Sequence, residues 1–388
     1  MTYQEKDGSF LVNDSIVNLG IRFIGPTNRV SGLGVSCRGY INAIKTTKYP
    51  IDIVCVEKGF EHIKKVPLYC SESNIPSDYD VVSIVHINPD MMNVHMDDIQ
   101  EHLDASCHKI AVWYWELSHL PSTWWKYLNH FDEIWVASTF TQRAIQACTN
   151  IPVTLMPPSV QLKSADLSKV KKIKEKFKIS DSRCYFLYIF DAFSYVERKN
   201  PFALLNAFID RFKGVSDATL ILKMSNAWVS AEFRNDVKSL CKGMSNIVLI
   251  DEVMTESEVV ALHYLTSCYV STHRSEGLGL TIIESMIAKK PVIATDYGST
   301  IDFVREDTAY PVKYSLIEIK ETMGPYKEGY VWADIEKADL ITNMEYVYRQ
   351  EESIEGKVEA AYLNIMNTYS LLSVGKSIEC HFRALTYQ

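Results

Sequence analysis

Short apolar runs alternate with helical stretches twice along this chain, once in each half. In the first half the runs are 17–25 (VNLGIRFIG), 51–56 (IDIVCV), 80–87 (DVVSIVHI), 109–113 (KIAVW) and 133–137 (EIWVA). In the second half they are 184–190 (CYFLYIF), 218–224 (ATLILKM), 247–250 (IVLI), 268–272 (CYVST) and 291–295 (PVIAT). Most are continuously apolar, which is the pattern of parallel strands covered by helices on both faces. Helices are expected between them, for example over 32–46, 201–212, 256–265 and 279–289. Two such series predict an α/β chain of two doubly wound, Rossmann-like domains. The length of 388 residues is ample for both cores.

The boundary is legible too. A Pro-rich stretch, 152–159 (PVTLMPPS), runs into a basic segment, 163–178, that reads as a solvated helix. The first domain is expected over 1–160, a linker over 161–180 and the second domain over 181–367, leaving 368–388 as a closing helix.

Composition narrows the function classes. With 47% hydrophobic residues and no biased tract, disordered and collagen-like chains are excluded. No apolar run nears the roughly 18 residues of a membrane span, and the N-terminus (MTYQEKDGSF) is too polar for a signal peptide. Nine cysteines without a C-x-x-C pair suggest free thiols, so a cytoplasmic protein is expected. Forty Lys+Arg against 48 Asp+Glu argue against a nucleic-acid partner. No metal-ligand spacing such as H-E-x-x-H is present, so no metal is expected. Asp78-Tyr79-Asp80 matches D-x-D in form, but it precedes its strand and reads as a turn at the sheet edge away from any ligand.

The densest local chemistry lies in 268–300, which parses as strand, loop, helix, turn, strand, loop. Ligands of open α/β sheets bind beyond the carboxyl ends of the strands, where both loops fall. Gly277 and Gly279 sit where the helix begins, and exposed amides with the helix dipole there favour an anion. Glu284 lies in a helix apolar nearly all round, so it needs a partner: an internal cation or the hydroxyls of a ligand. Glu276 stands eight positions before it. A second strand–loop–helix unit, 184–212, puts Arg198 and Lys199 just before a helix opened by Asn200 and Pro201. Cations are disfavoured at a helix N-terminus, and an anion held between them would resolve the conflict. Lys223, at a strand end, is either a further phosphate contact or an ordinary strand-end lysine.

The segment HRSEGLGLTIIESMIAKKPVIAT, with its E-x7-E spacing, closely resembles the nucleotide-sugar motif of retaining glycosyltransferases of family 4, which adopt the GT-B fold of two such domains facing a central cleft. The resemblance implies that Glu284 contacts a ribose and that Glu276 lies near the transferred sugar. It places the backbone of Gly277, Leu278, Gly279 and Leu280 on the diphosphate or the sugar. The family's usual Gly-Arg, spacer, Lys-Gly element is altered: Lys199 matches the lysine, Ser194 stands at the arginine position and Asn200 replaces the glycine. Arg198 is the substitute cation. In the first half, Gly32-x-Gly34 could be read as part of a dinucleotide fingerprint, but the loop before it is too long and Cys37 occupies the third glycine position. The resemblance instead puts Gly34 on a loop facing the donor phosphate. His86 and Asn88 end the strand DVVSIVHINPD, Asn88 standing where the family often has a histidine, and Trp115 and Glu116 are expected to face the cleft. The closing helix is expected to cross back onto the first domain.

The resemblance therefore implies a retaining, metal-independent glycosyltransferase with no cofactor beyond a nucleotide-diphosphate-sugar donor. Its acceptor is expected to be a glycan or a lipid-linked saccharide in surface polysaccharide or glycoconjugate synthesis, with peripheral contact at the inner face of the plasma membrane. Lys199→Ala is expected to abolish transfer with little change in thermal unfolding. Two other readings stay open at this point: an NAD-dependent oxidoreductase or epimerase using the Gly32 loop, and a non-catalytic sugar-nucleotide binder.

Overall fold

In the computed structural model, residues 18–59, 64–66, 74–180, 183–350 and 354–386 are described. Residues 1–17 of the expected first domain and 387–388 of the closing helix lie outside them. The first series forms β1 (Leu19–Gly25), β2 (Ile51–Cys55), β3 (Asp80–Val85), β4 (His108–Val112), β5 (Glu133–Val136) and β6 (Val153–Leu155). These pair in the order β2-β1-β3-β4-β5-β6, all parallel. The second forms β7 (Cys184–Asp191), β8 (Ala218–Ser225), β9 (Ile247–Ile250), β10 (Cys268–Ser271), β11 (Val292–Thr295) and β12 (Tyr310–Val312). Their order is β12-β11-β10-β7-β8-β9, again all parallel. Two parallel-sheet α/β domains are thus the architecture, and the apolar runs are its strands for the reason given: β8 buries seven successive residues because helices cover both faces.

Each sheet order reverses direction once, between β1 and β3 in the first domain and between β7 and β10 in the second. At such switch points the helices that follow neighbouring strands leave on opposite faces, which opens a crevice at the strand C-termini. That topological fact positions everything below.

Four strands, β6, β12 and the two of a hairpin after β12, are additions to the strand list read from sequence, and one helix falls in the linker. Strand β6 forms inside the Pro-rich boundary segment, next to β5. The helix Leu167–Phe177, within the stretch read as linker, packs on the helix Glu256–Leu265 and buries Ile173, so it is built into the second domain. After β12 the chain makes an antiparallel hairpin, β13 (Tyr314–Glu318) and β14 (Val331–Ile335), outside both sheets.

The last helix, Leu371–Thr386, lies on the first helix of the chain, Gly32–Ile44. Phe382 packs on Tyr49 and Trp135, and His381 Nε2 meets Glu133 Oε2 at 2.9 Å. Burial alone would raise the Glu133 carboxyl, but hydrogen bonds from His108, His381 and Thr154 outweigh it and lower it to about 2. Among the described residues no helix is long and apolar enough to cross a membrane.

Candidate active site

The switch point of the second sheet brings together two loops that are far apart in sequence. Strand β7 runs through Asp191–Tyr195 into the short helix Val196–Lys199, and β10 runs into Thr272–Gly279. Glu276, on the second loop, accepts a hydrogen bond from Lys199 Nζ and lies 3.4 Å from Arg198 Nη1. Arg198 also donates through Nη1 to the Ser275 carbonyl at 2.7 Å and through Nε to the Ser194 carbonyl at 3.2 Å. The three side chains are only 6%, 12% and 13% exposed for Arg198, Lys199 and Glu276. The anion that the Arg198–Lys199 pair was expected to hold is, in this structure, the protein's own Glu276 carboxylate.

Burial sets the electrostatics of this trio. Desolvation lowers the Lys199 ammonium and Arg198 adds to that, while Glu276 opposes it. For Glu276, desolvation is overcome by Lys199 and Arg198, which bring its carboxyl down to about 2. Arg198 is raised, because Tyr326, Glu116 and Glu276 outweigh its own desolvation. Glu276 and Arg198 are charged at neutral pH, and the Glu276 charge is what favours the ammonium form of Lys199.

The loop after β11 locks Glu276 from behind. Ser299 N–H donates to the Glu276 carbonyl at 3.0 Å, and Gly298, at φ +83°, packs so closely on the Glu276 backbone that a Cβ would lie 3.0 Å from its N and O. Gly279 has φ +82° and opens the helix Leu280–Ile287 with no side chain capping its first amides, so glycine is conformationally required there. The first turn of this helix points uncapped N–H groups and the positive end of its dipole toward the cleft, the arrangement that suits an anion.

Glu284 lies on that helix, half-buried, with one oxygen 3.4 Å from His263 Nε2. Its internal neighbour is therefore a histidine and not the lysine or arginine allowed for from sequence. Lys223 stands near the end of β8. Its Nζ is buried, donates to the Met224 carbonyl (3.2 Å) and Ser225 Oγ (3.1 Å), and faces Asp191, Asp251 and Glu252. Its hydrogen bonds in this structure stay at its own strand end, the arrangement of an ordinary strand-end lysine. Asn200 does open the helix Pro201–Phe212, but at φ +51° and without a side-chain cap; its amide turns to Asp334 on the hairpin instead.

The first domain closes over these loops. Glu116 reaches them: its carboxylate lies where a Gly277 Cβ would meet it at 3.3 Å, and its carbonyl accepts a hydrogen bond from Ser275 Oγ. Ser138 Oγ bonds Ser299 Oγ at 2.8 Å, and Thr139 bonds the Asp302 carboxylate. The other first-domain candidates are held by contacts within the protein. Gly34 is buried, its N–H taken by Ser31 Oγ, and its Cα faces the Arg29 carbonyl, so its glycine serves packing; Gly32 is the residue facing Leu280 across the cleft. That placement leaves the dinucleotide reading of Gly32-x-Gly34 without a second free glycine. His86 is fully buried among Phe23, Tyr40 and Tyr114, bonded through Ser36 Oγ (2.8 Å), and burial lowers it to about 4. Asn88 accepts from Tyr114 N–H at 2.9 Å and begins the helix Pro89–Asp104. Trp115 is turned to the second domain, where its ring is covered: it is 1% exposed and stacks on Tyr326 of the hairpin loop at 5.6 Å and 18°.

Tyr326 is the residue sequence reading missed. It caps Arg198 at 6.0 Å, faces Glu116 and meets Tyr195 edge-on at 5.2 Å. Arg274 was also passed over; it pairs with Asp334 of β14 at 3.0 Å and lies over Trp332 at 5.4 Å, fastening the hairpin to the β10 loop. The only available signal was the aromatic clustering of 310–332, which has no periodicity to announce a cleft.

Two parallel-sheet domains that close over uncapped helix amides and a cationic pair define the GT-B class of architecture, the one found in glycosyltransferases that use nucleotide sugars. Within it, residues 189–318 match the sequence profile of the family described as glycosyl transferases group 1. The chain is similar in fold to a glycosyltransferase from Rickettsia africae, at 16% identity, TM-score 0.67, over 95% of this chain and 99% of that one. It is likewise similar to HepE of Anabaena in complex with UDP-glucose, at 11% identity and TM-score 0.65, over 94% of this chain and 99% of the other. Sucrose-phosphate synthase of Thermosynechococcus elongatus is a third, at 13% identity and TM-score 0.64, over 95% and 99%. Comparison with curated protein sequences gives no match.

Proposed function

We propose that the protein is a retaining, metal-independent glycosyltransferase that takes a sugar from a nucleotide-diphosphate donor and passes it to a glycan or lipid-linked saccharide. The observation that carries this reading is the convergence of Arg198 and Lys199 on Glu276, the residue that leads into the Gly277–Leu280 loop, inside the segment that matches the family profile. Because HepE was crystallised with UDP-glucose, UDP-sugars are the first donors to try. In this reading the Leu280 helix amides and the two cations stabilise the charge that develops on the departing diphosphate, each such donor being worth roughly 10²–10³ in rate. Glu276 holds the cations in place beforehand and turns to the transferred sugar when the diphosphate takes over their charge. Glu284 binds the ribose. The acceptor hydroxyl attacks from the face the nucleotide leaves, and its proton passes to the leaving phosphate oxygen, so no protein nucleophile is required.

Thermal-shift and turnover measurements with UDP-, GDP-, ADP- and dTDP-sugars, with and without EDTA, test the reading. A stabilising donor and transfer that survives chelation are expected. No shift and no turnover with any donor would overturn it. The expectation that Lys199→Ala leaves unfolding unchanged is replaced: Lys199 is half of a buried charge balance, so its removal lowers stability as well as activity.

A further inference from the structure

Arg198 and Lys199 sit on a segment that its own sequence does not hold in shape. The short helix Val196–Lys199 is flanked by two non-glycine residues in left-handed backbone, Tyr195 at φ +62° and Asn200 at φ +51°. A bulky residue such as Tyr195 rarely takes a positive φ, and such backbone persists only where its surroundings over-determine it. Ser194, which stands at the family's usual arginine position, contributes only its carbonyl, to Arg198 Nε. The guanidinium is therefore delivered from the far end of a strained turn, and contacts from elsewhere in the chain must hold that turn in register.

The hairpin outside both sheets grips the turn at both ends. At the Tyr195 end, Tyr326 packs edge-on to the Tyr195 ring at 5.2 Å and covers Arg198 at 6.0 Å. The exposed Gly324 lies so close to the Tyr195 hydroxyl that a Cβ there would overlap it. At the other end, Asp334 of β14 accepts from the Asn200 amide at 3.4 Å and from Arg274 Nη2 at 3.0 Å. Arg274 completes the grip. Its backbone N–H donates to the Arg198 carbonyl at 2.7 Å, its Nη1 to the Glu197 carbonyl at 3.2 Å, and its own carbonyl accepts from Ala333 N–H of β14 at 3.0 Å. The loop between β13 and β14 is itself fixed: Met323 and Tyr326 exchange backbone hydrogen bonds at 2.8 and 3.0 Å, and the buried Tyr326 ring stacks on Trp115 of the first domain.

We propose that the β13–β14 hairpin is a positioning element for the cation pair: through Tyr326 and Asp334 it holds the strained Tyr195–Asn200 turn so that Arg198 and Lys199 meet a diphosphate in one fixed geometry. The proposal rests on the glycosyltransferase reading above. Tyr326 touches Arg198 and acts through it, not on the donor. Preorganised charge matters most where charge develops, in the transition state and on the departed diphosphate. Loosening the turn therefore lowers kcat and the affinity for the product nucleoside diphosphate, while the KM for the intact sugar nucleotide changes little.

The test follows hydrolysis of whichever UDP-, GDP-, ADP- or dTDP-sugar stabilises the full chain, a transfer to water that needs no acceptor, together with calorimetric titration of the matching nucleoside diphosphate. Tyr326→Leu removes the ring over Arg198, Gly324→Ala drives the exposed loop off the Tyr195 hydroxyl with Tyr326 intact, and Tyr326→Phe keeps the ring and its stack on Trp115. In the first two variants kcat and diphosphate affinity are expected to fall about tenfold or more, with donor KM within about twofold and the number of diphosphate sites per chain undiminished. Tyr326→Phe is expected to stay close to the unaltered protein. Unchanged kcat and diphosphate affinity in Tyr326→Leu overturn the proposal. So does a loss matched by fewer diphosphate sites per chain, the mark of a merely structural role, or a Tyr326→Phe variant as impaired as Tyr326→Leu. Should Tyr326→Leu not fold, the same outcomes in Gly324→Ala decide, and where hydrolysis is too slow to follow, the diphosphate affinity decides. A protein that neither binds nor hydrolyses any of the sugar nucleotides overturns the glycosyltransferase reading and this proposal with it, whereas binding indifferent to the hairpin overturns the positioning role alone.

Discussion

Replacing Glu276 by Gln isolates the charge balance at the centre of the site. The substitution keeps the shape of the side chain and removes the charge that Arg198 and Lys199 face. A carboxyl lowered to about 2 from an ordinary 4.5 corresponds to about 3 kcal/mol of stability at neutral pH. Because the folded value is the depressed one, that stability is present above pH 4.5 and lost as pH falls toward 2. Breaking a buried pair from one side costs a similar amount, about 3–5 kcal/mol, since the remaining charges stay buried. Lys199 limits the loss. Burial and Arg198 already lower its ammonium, and with Glu276 gone only Glu116, the smallest of the opposing influences, remains, so the variant sheds the Lys199 proton at a lower pH than the unaltered protein does. Between that lowered value and the ordinary 10.5 the unfolded chain binds more protons than the folded one, so stability rises with pH there, over a wider window in the variant. Urea or guanidinium unfolding at pH 7 and pH 9.5 measures both effects. A drop of about 3 kcal/mol at pH 7, partly recovered at pH 9.5, is expected. Added UDP should raise the midpoint of the variant more than that of the unaltered protein, because its phosphates replace the lost anion. A variant within 0.5 kcal/mol of the unaltered protein at pH 7, or one less stable at pH 9.5 than at pH 7, would refute the reasoning (about 0.5 kcal/mol being the spread of neutral surface changes).

Lys199→Ala should lose most transfer activity and also lower the denaturation midpoint, with Lys199→Arg restoring stability better than activity; steady-state kinetics and chemical unfolding measure the two separately. His86, lowered by burial to about 4, stays neutral at physiological pH, so the pH–rate profile should show no inflection from it between pH 5 and 8. Its folded value lies below the ordinary 6.5, so the folded protein loses about 3 kcal/mol as pH falls from 6.5 to 4, and His86→Leu should flatten that acid limb in unfolding titrations. Trp115→Ala should cost about 3–5 kcal/mol and release the loop between β13 and β14, read as new cleavage between 319 and 330 in limited proteolysis.

Ten of the twelve strands of the two sheets, all but β6 and β12, were legible because continuous apolar runs bounded by helical stretches have few other uses. The exceptions have identifiable causes. Strand β6 is three residues long between prolines, and β13 carries the half-exposed, mixed sequence Tyr-Ser-Leu-Ile-Glu, whose partner β14 begins a dozen residues later. Among the site residues, Glu276, Glu284 and the glycine loop stood out by spacing and by the apolar helix around them. The packing roles of Gly34 and Trp115 were not legible, because a glycine that permits close packing and one that faces a ligand look alike in sequence, as do a tryptophan covered by another ring and an open one.

What the sequence determined alone is the pair of doubly wound domains and the loops that carry charge and glycine, because hydrophobic periodicity and helix-end chemistry are local properties. What only the tertiary structure decided is which of those loops meet. Lys199 and Glu276 are 77 residues apart, and their pairing follows from β7 lying beside β10 at the switch point. Tyr326 reaches Trp115 and Arg198 because a hairpin outside both sheets folds across the cleft. Burial then sets the charge states, since a carboxylate and two cations withdrawn from water stay ionised only through one another.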